Sequence, residues 1–353
     1  MSSWDRPDVA CVSPPRTERQ LLAKIELKNY TMNILVTGGA GYIGSTLVPL
    51  LLADGHRVRV LDTLLHGGES LLGVWSHPHF EFVRGDICDT AKRQAAVTGI
   101  EAVVHLAAVV GDPACARQPD LARAVNLQAS LALIEESQRA GVSRFIFAST
   151  CSNYGKMKDA NQYVDEESEL RPVSLYAETK VAVEKALLQS SNNGKWCPTP
   201  MRFATVFGVS PRMRFDLTVN EFTMEMLTKK HLKVFGEQFW RPYVHVRDAA
   251  RAIQLVLNSP AAKVAGGVFN VGATNQNFQK QQLVEMIRPY APDAVVEFVH
   301  KTEDPRDYRV SFTRITEQLD FKITRTVAQG IEDVANLVRN NVIGNFGDGR
   351  YRN

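Results

Sequence analysis

The chain has 353 residues, 44% hydrophobic and 22% charged, with a formal net charge of +3 at pH 7. That length can bury a sizeable core in more than one minimal domain, and the scattered, near-neutral charge excludes the basic footprint of a nucleic-acid partner. No apolar run approaches the roughly 20 residues of a membrane span. The first 31 residues hold no apolar h-region and do not read as a secretory signal. They are expected to form an extension outside the fold, with an upstream start and a partner-binding arm both open. Five cysteines (Cys11, Cys88, Cys115, Cys151 and Cys197) are odd in number and show neither a CxxC pair nor a metal-ligand spacing. They point to reduced thiols in a cytoplasmic protein with no metal site.

From Asn33 the chain alternates strand-like and helix-like segments. Apolar runs predict strands at 33–37, 57–61, 80–83, 101–106, 144–149 and about 200–207. Helical periodicity predicts helices at 42–54, 118–140 and 174–190, with a weaker pattern over 89–98. This alternation predicts a doubly wound α/β fold of the Rossmann type over 32–208, a parallel sheet with helices on both faces. Pro49 conflicts with the first helix and is expected to kink it. Beyond Gly208, helices are predicted at 216–229, 248–257, 278–290 and 326–340, with short strands near 232–235, 267–271 and 294–299. Residues 209–345 are therefore read as a smaller, mainly substrate-binding α/β domain, with about 240–270 returning to the first domain. It would lie over the carboxyl ends of the strands, where ligands bind in open α/β sheets. The polar tail, 346–353, is expected to fray.

The run G-G-A-G-Y-I-G, Gly38 to Gly44, sits between the first strand and the first helix, the order that opens a dinucleotide-binding βαβ unit. Gly38 allows a sharp turn, Gly41 a close approach of backbone to a pyrophosphate, and Gly44 tight packing of helix on strand. The helix start at Tyr42 and Ile43 offers free N–H groups to the anion. Asp62 ends the next strand, where a carboxylate can accept hydrogen bonds from both hydroxyls of an adenine ribose and repel a 2′-phosphate. No Arg stands in Thr63-Leu64-Leu65 after it, so the expected cofactor is NAD rather than NADP. A carboxylate that merely caps the next turn is the competing reading of Asp62.

Tyr176 and Lys180 stand four apart on one helix face. A neighbouring ammonium favours phenolate and is expected to lower the Tyr176 pKa, making it a proton acceptor near neutrality. The pair alone would read as a surface Tyr and Lys on a helix; its place after the glycine turn reverses that in favour of chemistry. Upstream, Arg144-Phe145-Ile146-Phe147-Ala148 runs into Ser149-Thr150-Cys151-Ser152-Asn153-Tyr154-Gly155. Hydroxyls at the carboxyl end of a central strand can hydrogen-bond a substrate oxygen that becomes a carbonyl; in isolation they would be turn formers.

Together these segments resemble the extended short-chain dehydrogenase/reductase superfamily, in its NAD-dependent nucleotide-sugar epimerase/dehydratase family. The likeness covers about 33–340. It rests on the glycine turn, Asp62, Gly85-Asp86-Ile87, His105-Leu106-Ala107-Ala108, Asn126, the Ser149–Gly155 run, Tyr176 with Lys180, and Arg241-Pro242-Tyr243-Val244-His245-Val246. The resemblance implies that Asp86 and Ile87 flank the adenine and that Leu106, Ala107 and Ala108 line the nicotinamide-side phosphate and ribose. It implies that Asn126 braces the active-site helix, that Thr150 is the catalytic hydroxyl, and that Tyr176 is the base with Lys180 its partner. Ser152, Thr205, Asn220, Arg241 and Arg306 would bind a nucleotide-diphosphate sugar. Asn220 and Arg241 would take the diphosphate, with Arg306 or Arg309 as a second clamp. A homodimer through the 118–140 and 174–190 helices is the family expectation.

Two positions depart from that pattern. The 4,6-dehydratases carry an Asp-Glu pair directly after the catalytic Thr, where this chain has Cys151 and Ser152, so dehydration is disfavoured. UDP-glucuronate decarboxylases usually keep a Glu at the Ser152 position, and GDP-fucose synthases place their Cys one residue later. The expected reaction is epimerisation by transient oxidation at sugar C4. An NAD(P)-dependent 4-keto-sugar reductase or sugar dehydrogenase stays open, as does a catalytically silent NAD(H)-binding regulator, against which Thr150, Tyr176 and Lys180 argue.

Overall fold

A computed structural model describes residues 31–157, 162–190, 196–304 and 306–353. Apart from Thr31, the expected extension lies outside the described residues. The strands are β1 (Asn33–Thr37), β2 (Arg57–Asp62), β3 (Phe80–Arg84), β4 (Ala102–His105), β5 (Arg144–Thr150), β6 (Cys197–Phe203), β7 (Thr205–Phe207), β8 (His231–Phe235), β9 (Trp240–His245), β10 (Phe269–Val271), β11 (Asn277–Gln279) and β12 (Val295–Val299). The central sheet has the order β3-β2-β1-β4-β5-β6-β10 with every pairing parallel. β9 joins parallel β7 and antiparallel β11, and β12 pairs with β8.

The helices are α1 (Gly44–Ala53), α2 (Thr90–Val97), α3 (Asp112–Arg117), α4 (Pro119–Arg123), α5 (Ser130–Arg139), α6 (Leu175–Gln189), α7 (Thr218–Thr228), α8 (Val246–Asn258), α9 (Ala261–Val264), α10 (Lys280–Ile287), α11 (Thr313–Leu319) and α12 (Val327–Arg339). Because successive side chains of a strand point to opposite faces, β1 and β5 feed two cores. Ile34, Val36 and Ile146 meet Leu47 and Leu51 of α1 and Ala249 and Ile253 of α8. Leu35, Phe145 and Phe147 meet Val97 of α2, Leu133 of α5, and Val183 and Leu187 of α6. β4 is buried throughout, as a strand covered on both faces must be. The strand order reverses between β1 and β4, and the crevice outside their carboxyl ends is the place such sheets reserve for ligands.

Three sequence expectations change. The predicted strand at 200–207 is two strands: β6 in the central sheet, then β7 with β9. Pro198 and Pro200 hid the start of β6. They are tolerated because β10 pairs only with Met201–Phe203, so their missing N–H groups leave no ladder bond open there. The predicted helix at 118–140 is α4 and α5 joined by a π-helical turn, Ala124–Ala129. The tail does not fray. Phe346 and Tyr351 stand edge-on to Phe215, with ring centroids 5.3 and 6.1 Å away, and the Phe215 N–H donates to the Tyr351 carbonyl at 2.9 Å. Two aromatic anchors outweigh the polar composition around them. The first helix runs on through Pro49, which is exposed. Among the described residues no helix is long and apolar enough to cross a membrane.

Beneath the carboxyl end of β5 lies a buried polar network. Glu184 of α6 and Arg202 of β6 are 1% and 4% exposed, and the guanidinium grips both carboxylate oxygens, with Nη2 2.8 Å from Oε2 and Nε 3.2 Å from Oε1. Ser149 and Asn153 also donate to Glu184 Oε1, Asn153 at 2.8 Å. Arg202 Nη1 donates to the Tyr154 hydroxyl at 3.0 Å, and that hydroxyl donates to Asn270 Oδ1 at 2.7 Å. Removing one partner of such a pair strands the other charge, so Glu184→Met should lower unfolding free energy by about 3–5 kcal/mol. Urea denaturation checks this, and a loss below about 1 kcal/mol would show that the pair does not hold the fold.

Candidate active site

The glycine turn is shaped by contacts with its own main chain. Gly38 has φ +73°, and a Cβ there would come within 2.8 Å of the Ala107 nitrogen. At Gly44 a Cβ would sit 2.4 Å from the Gly38 carbonyl oxygen, so the first turn of α1 lies directly on the loop. Beside Gly41 only that carbonyl is near, at 3.1 Å, leaving room against the backbone. The loop after β4 is stitched to β1: the Leu106 N–H donates to the Thr37 carbonyl at 3.1 Å and the Ala107 N–H to Thr37 Oγ1 at 3.3 Å. Thr37 Oγ1 is also 2.7 Å from His105 Nδ1, and His105 Nε2 is 2.9 Å from Ser130 Oγ. Burial, and then the charge of Lys180, push the His105 pKa down to about 3, so this imidazole stays neutral. Ala108 continues the half-buried stretch Leu106–Val110.

Asp62 caps the turn after β2 and also holds the glycine loop. Its Oδ1 accepts from the Leu64 N–H at 2.8 Å and caps the turn, while Oδ2 accepts from the Ala40 N–H of the glycine loop at 3.0 Å. Burial raises its pKa. Further along the same rim, Asp86 is exposed and accepts from the Cys88 N–H at 2.8 Å. Ile87 is buried, and its carbonyl takes Arg93 Nη1 at 2.6 Å.

Ser174 caps α6 by accepting from the Ala177 N–H at 3.3 Å, and the helix carries Tyr176 and Lys180 on the face toward β5. Lys180 is 2% exposed. Its Nζ donates to the Ala148 carbonyl at 2.8 Å, 4.7 Å from the Phe147 ring centroid and 5.8 Å from that of Tyr176. Burial lowers the Lys180 pKa to about 8. The expected lowering at Tyr176 is corrected: burial raises the phenol, and the Cys115 thiol and Asp112 carboxylate add to the rise. The ammonium is aimed at Ala148, not at the phenol. Thr150 ends β5, and its Oγ1 accepts from the Ser152 N–H at 3.1 Å.

Cys151 turns away from the crevice. It is 1% exposed, its thiol donates to the Arg202 carbonyl at 3.2 Å, and burial holds that thiol far above its ordinary pKa. Ser152 faces the other way, with Oγ 3.3 Å from the Tyr308 hydroxyl. Asn126, on the π-helical turn, accepts from the Val109 N–H at 2.8 Å and donates to the Val109 carbonyl at 2.9 Å. It braces the loop after β4 rather than the active-site helix.

On the substrate side the expectations separate. Asn220 is 0% exposed. Its Oδ1 accepts from the Gly208 N–H at 2.9 Å, and its Nδ2 donates to the Arg214 carbonyl at 2.9 Å and to the Tyr42 hydroxyl at 3.2 Å. That hydroxyl in turn donates to the Gly208 carbonyl at 2.6 Å. Asn220 has no polar atom left for a diphosphate, which corrects its reading as a substrate ligand; with Tyr42 it fastens the 208–220 loop to the glycine turn. Thr205 stands half-buried at the head of β7. Arg241 Nη2 donates to Asp304 Oδ2 at 2.6 Å, and Arg306 Nη1 to Asp112 Oδ2 at 2.7 Å. Lys280 Nζ is 4.0 Å from Asp304 Oδ2. Arg309 instead stacks 4.7 Å from the Tyr163 ring centroid and 5.0 Å from that of Trp240. Lys280 escaped the sequence reading; Asp304 stands in the run that offered Arg306 and Arg309, and Asp112 in the Val109–Cys115 loop, which the sequence places along the sugar pocket without assigning its contacts.

The NAD dependent epimerase/dehydratase family model matches residues 34–272. The chain is 31% identical to a UDP-glucose 4-epimerase of Mycolicibacterium smegmatis, over 88% of this chain and 99% of that one. It is 30% identical to a dTDP-glucose 4,6-dehydratase of Streptomyces niveus, over 88% and 94%. A solved structure of the dTDP-glucose 4,6-dehydratase DesIV from Streptomyces venezuelae, with NAD and TYD bound, superposes with a TM-score of 0.78 at 26% identity, over 88% and 98% of the two chains. Epimerase and dehydratase are thus alike in distance, and the comparisons lend no support to setting dehydration aside. The family match runs from β1 through β10 and takes in the glycine turn, the end of β5 and the Tyr176 helix, so this chain belongs to the NAD-dependent epimerase/dehydratase family and is an NAD-dependent enzyme of the extended short-chain dehydrogenase/reductase class.

Proposed function

We propose that the protein is a nucleotide-diphosphate-sugar epimerase that oxidises its substrate transiently at sugar C4 and restores the hydrogen on the opposite face. One observation carries this reading against dehydration. The residues after Thr150 offer a core-facing thiol and a hydroxyl, so no carboxyl acid or base stands at the two positions that water elimination would use. What remains at the end of β5 and on α6 is a hydroxyl, a phenol and an ammonium, the set needed to move one proton at one oxygen.

In this reading Gly38, Gly41 and Gly44 keep the backbone low beneath the cofactor's pyrophosphate, with the N–H groups of Tyr42 and Ile43 toward it. Asp62 takes the adenine ribose, Asp86 and Ile87 border the adenine, and Leu106, Ala107 and Ala108 line the nicotinamide half, held in place by Asn126. Bound NAD supplies a hydride acceptor and, on the return, a hydride donor. Tyr176 accepts the C4 hydroxyl proton, and Thr150 Oγ1 donates to the same sugar oxygen as it becomes a carbonyl. Lys180, charged below about pH 8, holds the nicotinamide ribose and stabilises the phenolate. That assistance is needed because burial otherwise keeps the phenol protonated. Ser152 and Thr205 border the sugar, and Arg241 and Arg306 take the diphosphate, for which guanidinium forks are suited.

The purified protein should interconvert two nucleotide hexoses that differ at C4 without added cofactor. Dependence on added NADPH and a keto-sugar, or release of a 4-keto-6-deoxy sugar, would overturn epimerisation. Tyr176→Phe should lower turnover by at least about 10²-fold, the usual scale of one acid–base group, with NAD affinity nearly unchanged; retained turnover removes Tyr176 from the mechanism. The pH profile should also report Lys180. Its depressed pKa means the charge is present below about 8 and lost above it, so kcat should fall as pH rises through 8, and Lys180→Met should lack that limb. A profile flat from pH 7 to 10 in the unmodified enzyme would sink this assignment.

A further inference from the structure

The loop between β7 and α7 holds a buried arginine that none of these roles uses. Arg212 is 5% exposed. Its main-chain N–H donates to Ser45 Oγ in the first turn of α1 at 3.3 Å, and the adjacent Ser210 Oγ donates to the Tyr42 carbonyl at 2.7 Å. The loop therefore lies against the helix start that follows the glycine turn. Neighbouring Arg214 is discharged by Asp216, with contacts of 2.9 and 2.6 Å. Arg212 has no such partner: among the described residues its Nε makes no hydrogen bond and its guanidinium forms no ion pair. Its charge is felt by Asp62 and by His66, on the adenosine side of the same crevice. A buried guanidinium with no carboxylate in ion-pair contact, only the more distant charges of Asp62 and Asp216, is costly, and its loop lies against a helix N-terminus, where an anion is favoured.

The other side of Arg212 is held by the 346–353 segment. Nη2 donates to Asn353 Oδ1 at 2.8 Å and to the Arg352 carbonyl at 3.1 Å. The segment then reaches both banks of the crevice. Arg350 lies 3.6 Å from Glu69, in the turn after β2, and the next residue, Ser70, donates to the Ala40 carbonyl of the glycine loop at 2.8 Å. Arg117, on α3 after β4, donates to the Asn353 main-chain oxygen at 3.2 Å. The Asn353 N–H donates to Asp216 Oδ2 at 3.1 Å.

We propose that Arg212 is a cofactor-binding residue whose guanidinium meets the pyrophosphate of NAD, and that residues 346–353 are the strap that holds it there. This rests on the placement of NAD along the glycine loop given above, but not on which reaction the enzyme performs. Binding to cofactor-stripped protein tests it by calorimetry, with NAD, ADP, adenosine and UDP as probes. Arg212→Gln should weaken NAD and ADP at least tenfold and leave adenosine and UDP within twofold. Deleting 346–353 should weaken NAD comparably, and the double variant should be no weaker than the worse single one, because both changes remove the same contact. If Arg212→Gln does not fold, Arg212→Lys replaces it and should retain folding while losing NAD affinity by several fold. NAD and ADP affinities within twofold of wild type in the folded Arg212 variant overturn the assignment. Loss confined to UDP also overturns it, since the arginine would then serve the substrate diphosphate. Multiplicative losses in the double variant overturn the strap. Each readout is independent of turnover, so a failed epimerase assay leaves this test intact.

Discussion

Glu184 and Arg202 lie side by side with almost no solvent, and the active-site side of the molecule is arranged around them. Glu184 is one turn beyond Lys180 and two beyond Tyr176 on α6, Arg202 belongs to β6, and Ser149 and Asn153 reach the same carboxylate from the end of β5. Three elements therefore meet at one group. Each ion costs several kcal/mol to desolvate, and the two-pronged contact with extra donors is the geometry that offsets such a cost. The return is register. A slip of α6 by one residue would rotate Glu184 by about 100°, breaking the contact and carrying Lys180 away from the Ala148 carbonyl of β5.

Above that anchor the polar groups are graded by how much water they keep. His105 is wholly enclosed and neutral, bridging Thr37 to Ser130 and so tying β1 and β4 to the start of α5. Lys180, one layer nearer the crevice, keeps an ammonium only up to about pH 8. Asp62, at the rim, spends its oxygens on two main-chain N–H groups. The same lack of solvent that keeps the Tyr176 phenol protonated leaves its hydroxyl responsive to whatever charge arrives beside it.

The layered fold was legible because its cause is local. A strand buried on both faces must be apolar throughout, and a glycine whose Cβ would strike a carbonyl cannot be replaced, so 33–37 and 38–44 declare themselves. Tyr176 and Lys180 were legible as a pair, but the direction of the phenol's shift was not, since it depends first on how far the fold buries the ring, with Cys115 and Asp112 of α3 adding to the rise. Asn126 and Asn220 were found as polar residues in motifs, yet an amide's task is set by whichever main-chain groups face it, Val109 in one case and Gly208 in the other. The Glu184–Arg202 pair and Arg212 were not singled out, because a charge in a sequence carries no mark of its burial. The tail misled through composition, since two aromatic rings decide its packing and its polar residues do not.

Asp112 stands between the two sides of the crevice. One of its oxygens accepts from Ser174, the cap of the helix that carries Tyr176, at 2.7 Å, and the other accepts from Arg306 at 2.7 Å. A single carboxylate is thus divided between the start of α6 and Arg306, which in the proposed function are the helix of the proton acceptor and a cation for the substrate diphosphate. Any ligand that draws Arg306 away frees half of that carboxylate and alters the restraint on α6 within one side chain. Filling the crevice and tuning its chemistry are, at this residue, the same mechanical event.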